Sequence, residues 1–162
     1  MTEVFVGIGS NVEPEQHVRR AVVLLRDHFG PVRLSPVYRN RAVGFEGDDF
    51  FNLVAAFGTG LSIAALNTVL DDIEVRCGRE RSARKFSPRT LDLDLLLYGD
   101  TVSEKPVRLP RKEVLKYAFV LKPLADLAGP RRHPETGRSY AEHWADFGGE
   151  GGALTPVKLD GL

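Results

Sequence analysis

The segment Leu91 to Tyr98, LDLDLLLY, limits the fold more tightly than any other part of the chain. Leu91, Leu93, Leu95 and Leu97 alternate with polar and apolar neighbours, a period of two that an extended strand turns into one leucine face. Gly99-Asp100 bounds it. A leucine row of that kind needs neighbouring strands beside it and a helical layer on top of it. Val4 to Ile8 (VFVGI) reads as a first strand running into the turn Gly9-Ser10-Asn11. Pro14 suits a first helical turn, and Val18, Ala21, Val22, Leu25 and Phe29 recur at three and four up to the stop Gly30-Pro31. Val32 to Tyr38 and Phe51 to Thr59 are two further strands, the second with Phe51, Leu53, Ala55 and Phe57 on one face, joined by the polar loop Arg39 to Asp49. Ser62 caps a second helix with the stripe Ile63, Leu66, Val69, Leu70 and Ile73, and Gly78 stands where a left-handed terminator is wanted.

The resulting order, strand, helix, strand, strand, helix, strand, predicts an α+β fold. It is the ferredoxin-like βαββαβ sandwich, with helices on one face of an antiparallel sheet and the other face free for function. A C-terminal helical extension follows: a short helical stretch near Arg111 to Tyr117, an apolar segment Phe119 to Leu127 that packs on the sheet despite Pro123, and a last helix through Phe147 opened by the capping box Ser139 and Glu142. The chain of 162 residues reads as one domain, 1–162, with a core of about 3–147 and a loosely ordered tail 148–162. Lys plus Arg and Asp plus Glu both number 22, so no global field steers the protein to nucleic acid or an anionic membrane, and any anion site is local. Val4 to Ile8 is too short for a signal or a membrane span, and the single Cys77 closes no internal bridge; a cytoplasmic monomer is the default expectation. Cys77 in the last turn of the second helix reads as a buried small residue, and His17, His28, His133 and His143 lack zinc-ligand spacing.

Three groups of residues carry possible chemistry. Asp92 and Asp94, two apart on a strand, put both carboxylates on the face opposite the leucine row. They can be solvated surface groups or a magnesium site; aspartate is disfavoured in strands, which gives weight to ligation. Arg79, Arg81, Arg84, Lys85 and Arg89 crowd the loop just upstream, with Glu80 the only acid among them. Such a run is either a solvated surface or a clamp for a polyanion, and next to a carboxylate pair it suits phosphoryl-type transfer from a nucleotide. Phe50 and Asn52 face away from the Phe51, Leu53 row. An aromatic face and an amide can read a flat heterocycle, or Phe50 can simply pack under a loop; Phe119 is a second stacking face. Gly7 and Gly9 fit neither a dinucleotide fingerprint, since Val12 breaks it, nor a Walker loop, and read as structural.

Together these residues resemble the 6-hydroxymethyl-7,8-dihydropterin pyrophosphokinase (HPPK) family, from Val6 to about Leu127. The strongest part is the run from Pro88 through Thr90, Asp92 and Asp94 to Gly99, with further likeness at Gly7 to Asn11, Phe51-Asn52, Ile73-Glu74, Gly78-Arg79, Phe119 to Leu121 and Pro123-Leu124. The resemblance implies transfer of the β,γ-pyrophosphoryl group of ATP to the pterin hydroxymethyl oxygen, with release of AMP and two Mg2+ ions held by Asp92 and Asp94. Arg79 and Arg89 would bind the transferred group. Arg81 and Lys85 would close over the triphosphate, Glu74, Val107 and Arg108 would border the adenosine, and Arg111 would lie near the nucleotide. The pterin would sit between Phe50 and Phe119, with Asn52 reading its pyrimidinone edge, backbone near Val43 supplying further bonds and Phe86 alongside. The chain departs from the family pattern where it has Asn40-Arg41 for Thr-Pro, Lys85 for Arg, Phe86 for Trp, and Arg111 and Tyr117 for His and Arg. Two rivals follow: a paralogue using ATP and magnesium with another acceptor, and a non-catalytic RNA-binding module. The second lacks an aromatic-rich stretch on a central strand and a net positive charge.

Overall fold

A computed structural model describes residues 1–44, 46–78, 91–150 and 152–162. The chain runs β1 (Thr2–Ser10), α1 (Pro14–Phe29), β2 (Arg33–Leu34), β3 (Val37–Asn40), β4 (Phe50–Thr59), α2 (Ile63–Arg76), β5 (Asp92–Tyr98), α3 (Glu113–Lys116), α4 (Ala118–Ala128), α5 (Tyr140–Ala145) and β6 (Thr155–Val157). The sheet order is β5-β1-β4-β3-β6 with β2 on β4, every pairing antiparallel. The first four strands of that order give the arrangement expected of a βαββαβ chain.

Alternation along β1 explains the two layers. Val4, Val6 and Ile8 face α1 and α2, where they meet Val18, Val22, Leu25, Leu66, Leu70 and Ile73 with Leu53, Ala55 and Leu93. Every one of these is nearly solvent-free, so each valine, leucine and isoleucine among them contributes roughly 1.5–3 kcal/mol of burial. α2 begins as expected, with Ser62 Oγ accepting the Ala65 N–H at 3.2 Å, and ends at Gly78, whose φ of +88° is the left-handed region that glycine adopts without strain. Pro123 is accommodated within α4.

The second face is not free throughout. α3, α4 and α5 bring Val114, Leu121, Leu124 and Tyr140 onto Phe5, Val54, Ala56, Leu96 and Leu97, so the helical extension covers one end of that face and leaves the other open. Leu97 corrects the leucine row: the ladder shifts between Phe5 and Val6, which pair with Leu97 and Leu95, leaving Leu96 as the extra residue of a β-bulge. Beyond the bulge the pleat is inverted, and Leu97 joins Leu96 under α4 instead of Leu95 under α2.

Three other expectations change. The strand over Val32 to Tyr38 is broken at Ser35-Pro36, where proline has no N–H to give. Ser35 bridges the gap, its N–H donating to Val54 O at 2.9 Å and its Oγ accepting the Val54 N–H at 2.8 Å. The residues after Gly152, read as loosely ordered, instead form β6 on the outer edge of β3, with Val157, Leu159 and Leu162 packed against the main core. The last helix keeps its capping box but stops at Ala145, short of Phe147.

Candidate active site

On the open end of the second face, a cleft of about 150 Å³ is lined from β1, β4, β5, the β3–β4 loop and the start of α4. Its floor is set by two glycines. Gly9 pairs with Asn52 on one side and Asp92 on the other, and Gly7 pairs with Val54 and Asp94. Neither glycine raises a side chain between its neighbours, so the carboxylates of β5 and the amide of β4 share an unbroken floor across roughly 10 Å, two strand spacings. An ideal Cβ on Gly9 would stand 2.9 Å from Asn52 Oδ1, whereas the nearest atoms to one on Gly7 would be the Leu96 methyls at 3.5 and 3.6 Å, ordinary contact distances. Gly9 therefore makes room for Asn52, a role that the sequence signals only as an isolated glycine in a strand.

The cleft gathers Asp92, Asp94, Arg111, Val43, Phe50, Asn52 and Phe119 of the expected site residues. The two aspartates are half-buried on the same face, as the pleat requires. Arg111 is anchored beside them, its backbone N–H and Nε donating to the Leu96 and Leu95 carbonyls at 3.0 and 2.9 Å. The β-bulge thus orients the guanidinium, whose Nη1 stands 4.0 Å from Asp94 Oδ1 with Asp94 46% exposed. That separation in partial contact with water is a weak pair. Two half-exposed carboxylates are an oxygen donor pair of the kind that suits a hard cation such as Mg2+, which takes one or two carboxylates and keeps its other positions for water and phosphate oxygens.

At the other end, Phe50 and Phe119 contribute aromatic walls, and Phe119 is stacked on Tyr117 with centroids 4.9 Å apart at 19°. Lys116 Nζ lies 5.2 Å from the Tyr117 ring centroid. Tyr117, Asn40, Glu113, Leu96 and Val120 line the cleft without having been singled out as site residues. α3 and α4 meet in a junction at Tyr117-Ala118 that sequence periodicity does not reveal, and the backbone of Glu150 secures it, accepting the Ala118 N–H at 2.7 Å and donating to Lys116 O at 2.9 Å.

The other candidates are not among these lining residues. Arg79, Arg81, Lys85, Phe86 and Arg89 fall outside the described residues. Glu74, Val107 and Arg108 do not line the cleft. Glu74 is 5% exposed and its Oε2 accepts the Leu93 N–H at 2.7 Å, serving the outer edge of β5. Glu74→Ala should strand that N–H and cost about 2 kcal/mol, read as a lower urea midpoint; an unchanged midpoint would refute this role. Arg108 donates to Pro110 O at 2.9 Å and pairs with Glu135 at 3.0 Å and Glu104 at 3.4 Å. Cys77 is buried, and that burial pushes its thiol pKa up, the reverse of what a nucleophile needs.

The chain is similar to known proteins in sequence and in fold. The sequence model of the family described as 7,8-dihydro-6-hydroxymethylpterin-pyrophosphokinase (HPPK) matches residues 5–129. The 2-amino-4-hydroxy-6-hydroxymethyldihydropteridine pyrophosphokinase of Pseudomonas aeruginosa is 38% identical over 144 residues, covering 86% of this chain and 88% of that protein. Its namesake from Campylobacter jejuni is 39% identical over 126 residues, covering 74% and 78%. Among solved structures, Plasmodium falciparum HPPK-DHPS superposes with a TM-score of 0.71 at 11% identity, over 91% of this chain. The chain spans 44% of the length of that structure's chain, and the likeness speaks to the fold. With the family match running from Phe5 in the first strand to Gly129 beyond α4, across every strand that floors the cleft, the chain belongs to the HPPK family.

Proposed function

We propose that the cleft binds ATP and 6-hydroxymethyl-7,8-dihydropterin together and transfers the β,γ-pyrophosphoryl group of ATP to the pterin, a step of folate biosynthesis. The observation that carries this reading is the shared floor: a hard-cation donor pair and an aromatic-and-amide pocket lie on the two strands that flank β1, with only its glycines between them. The pterin hydroxymethyl oxygen attacks Pβ, the bond from Pβ to the α,β-bridging oxygen breaks, AMP leaves with that oxygen, and the hydroxyl proton passes to solvent. Asp92 and Asp94 would hold magnesium, two ions on the family pattern, which neutralises the triphosphate and lowers the pKa of the attacking hydroxyl. The chain's own residues do the rest of the positioning. Phe50 and Phe119 hold the planar ring, Asn52 reads its edge, and the Arg111 guanidinium faces the phosphates from its anchor on the bulge. Arg79 and Arg89 on the transferred group, Arg81 and Lys85 over the triphosphate, Phe86 beside the pterin, and Glu74, Val107 and Arg108 near the adenosine complete the reading by family likeness.

The neutral net charge supports small-molecule partners without nucleic acid, and among the described residues no helix is long and apolar enough to cross a membrane. We read the protein as a cytoplasmic monomer of one domain. The test is nucleotide analysis after incubation with ATP, Mg2+ and the pterin. AMP and pterin diphosphate should appear in equal amounts and only when the pterin is present. ADP would mean ordinary kinase chemistry, and an absence of turnover despite ATP binding would point to the paralogue with another acceptor.

A further inference from the structure

We infer that Asn40 is a positioning residue that fixes which way the Asn52 carboxamide faces the bound ring, an inference that rests on the pterin reading above. β3 and β4 pair Tyr38 with Asn52 and Asn40 with Phe50, so the two asparagines are diagonal neighbours on the cleft side of the sheet. Asn40 is 4% exposed, and its Nδ2 donates to Arg41 O at 3.0 Å. With its amino end so engaged, Asn40 turns Oδ1 to Asn52, whose Nδ2 donates to it at 2.6 Å. Reversing the Asn52 amide would set oxygen against oxygen with no proton between them, a buried acceptor pair that the site cannot satisfy.

The consequence is a fixed order of groups at the ring edge. Asn52 Oδ1 is held over Gly9, in space that a Cβ there would fill. Among the described residues no protein group donates to Asn52 Oδ1, so it keeps its acceptor capacity for ligand, beside the remaining Nδ2 proton. A pyrimidinone edge that offers an N–H next to a carbonyl matches this acceptor–donor order in one register only. Arg41 O sets Asn40, Asn40 sets Asn52, and Asn52 sets the ring.

The lock is tested by a double-mutant cycle on pterin binding without ATP, read by calorimetry for wild type, Asn40→Ala, Asn52→Ala and the double variant. Asn40→Ala should weaken the pterin about tenfold, and the double variant should bind within about twofold of Asn52→Ala, because Asn40 acts only through Asn52. Losses that add in the double variant would overturn the inference, as would wild-type affinity in Asn40→Ala. Failure of the wild type to bind the pterin would overturn the pterin reading, and the inference about the ring with it. The lock itself has a readout without ligand: in ¹⁵N spectra of the unliganded wild type, one Asn52 side-chain proton should be shifted downfield and protected from exchange, and Asn40→Ala should abolish this. A rapidly exchanging Asn52 amide in the wild type would overturn the lock whatever the pterin data or the folding of the variants.

Discussion

Asp92→Ala should lower turnover on the order of a thousandfold, about 4 kcal/mol of transition-state stabilisation, while leaving the fold intact. The size follows from where charge moves in the reaction. Breaking the bridge to Pβ places new negative charge on AMP while the transferred group still carries its own, and Asp92 and Asp94 would hold the divalent cation that offsets this charge. One carboxylate of two is not half a site, because a hard cation held by a single exposed aspartate competes poorly with its own hydration. The fold is spared because Asp92 is half-buried on the cleft side of β5, opposite the Leu93 and Leu95 side chains that pack in the main core. Substitutions outside a packed core shift stability by about 0.5 kcal/mol or less. AMP production measures the first effect, Mn2+ titration followed by water relaxation measures lost metal binding, and thermal denaturation measures the third quantity. Wild-type turnover in Asp92→Ala would sink the metal assignment. Lost turnover with undiminished Mn2+ binding would move the role of Asp92 from the cation to the substrate.

How far the sequence reveals this site depends on the kind of interaction that builds each part. Asp92 and Asp94 are legible because the pleat alone puts residues two apart on one side. Phe50 and Asn52 are legible for the same reason, and the helix stripes on α1 and α2 follow from a period that needs no knowledge of the partner. Leu97 is where local reasoning stops. Its face is decided by the β-bulge at Leu96, a property of the pairing between β5 and β1 and not of either strand by itself. Arg111 depends on the same bulge, since the carbonyls that anchor it belong to Leu95 and Leu96. β6 is illegible for a different reason. Three residues containing Pro156 have no periodicity to read, and they are strand only because β3 offers an open edge. Asn40 is illegible on both counts: it falls in the stretch read as the loop Arg39 to Asp49 yet ends β3, and its partner lies twelve positions away on β4. Glu74 shows that a resemblance has the same limit, since it sets the residue beside the adenosine and does not disclose the hydrogen bond to Leu93 that accounts for its burial.

Gly9→Val should weaken pterin binding roughly a hundredfold, about 3 kcal/mol, with little loss of stability. A Cβ at this position lies 2.9 Å from Asn52 Oδ1, closer than real contacts allow, so either the strand or the amide must move. The strand is the stiffer of the two, because β1 is paired on both sides, with β4 and with β5. Asn52 yields, and to do so it breaks its 2.6 Å bond to Asn40 and leaves a polar group in the half-buried pocket without its partner. The valine methyls then occupy the floor on which the ring would lie. The lost Asn40 bond costs about 1 kcal/mol of stability, and the rest moves little because the new side chain enters the cleft and not the core under α1 and α2, and because replacing glycine in a strand removes freedom from the unfolded chain and adds β propensity. Gly7→Ala is the internal control. Its Cβ meets Leu96 methyls at ordinary contact distance, so Asn52 keeps its place and affinity should fall several-fold at most. Calorimetric titration with the pterin and thermal denaturation of both variants decide the matter. Equal losses in the two would mean that cleft volume, and not the position of Asn52, sets affinity. A large fall in the Gly9→Val midpoint would mean that β1 had moved in place of the amide, and that Gly9 serves the sheet before it serves the site.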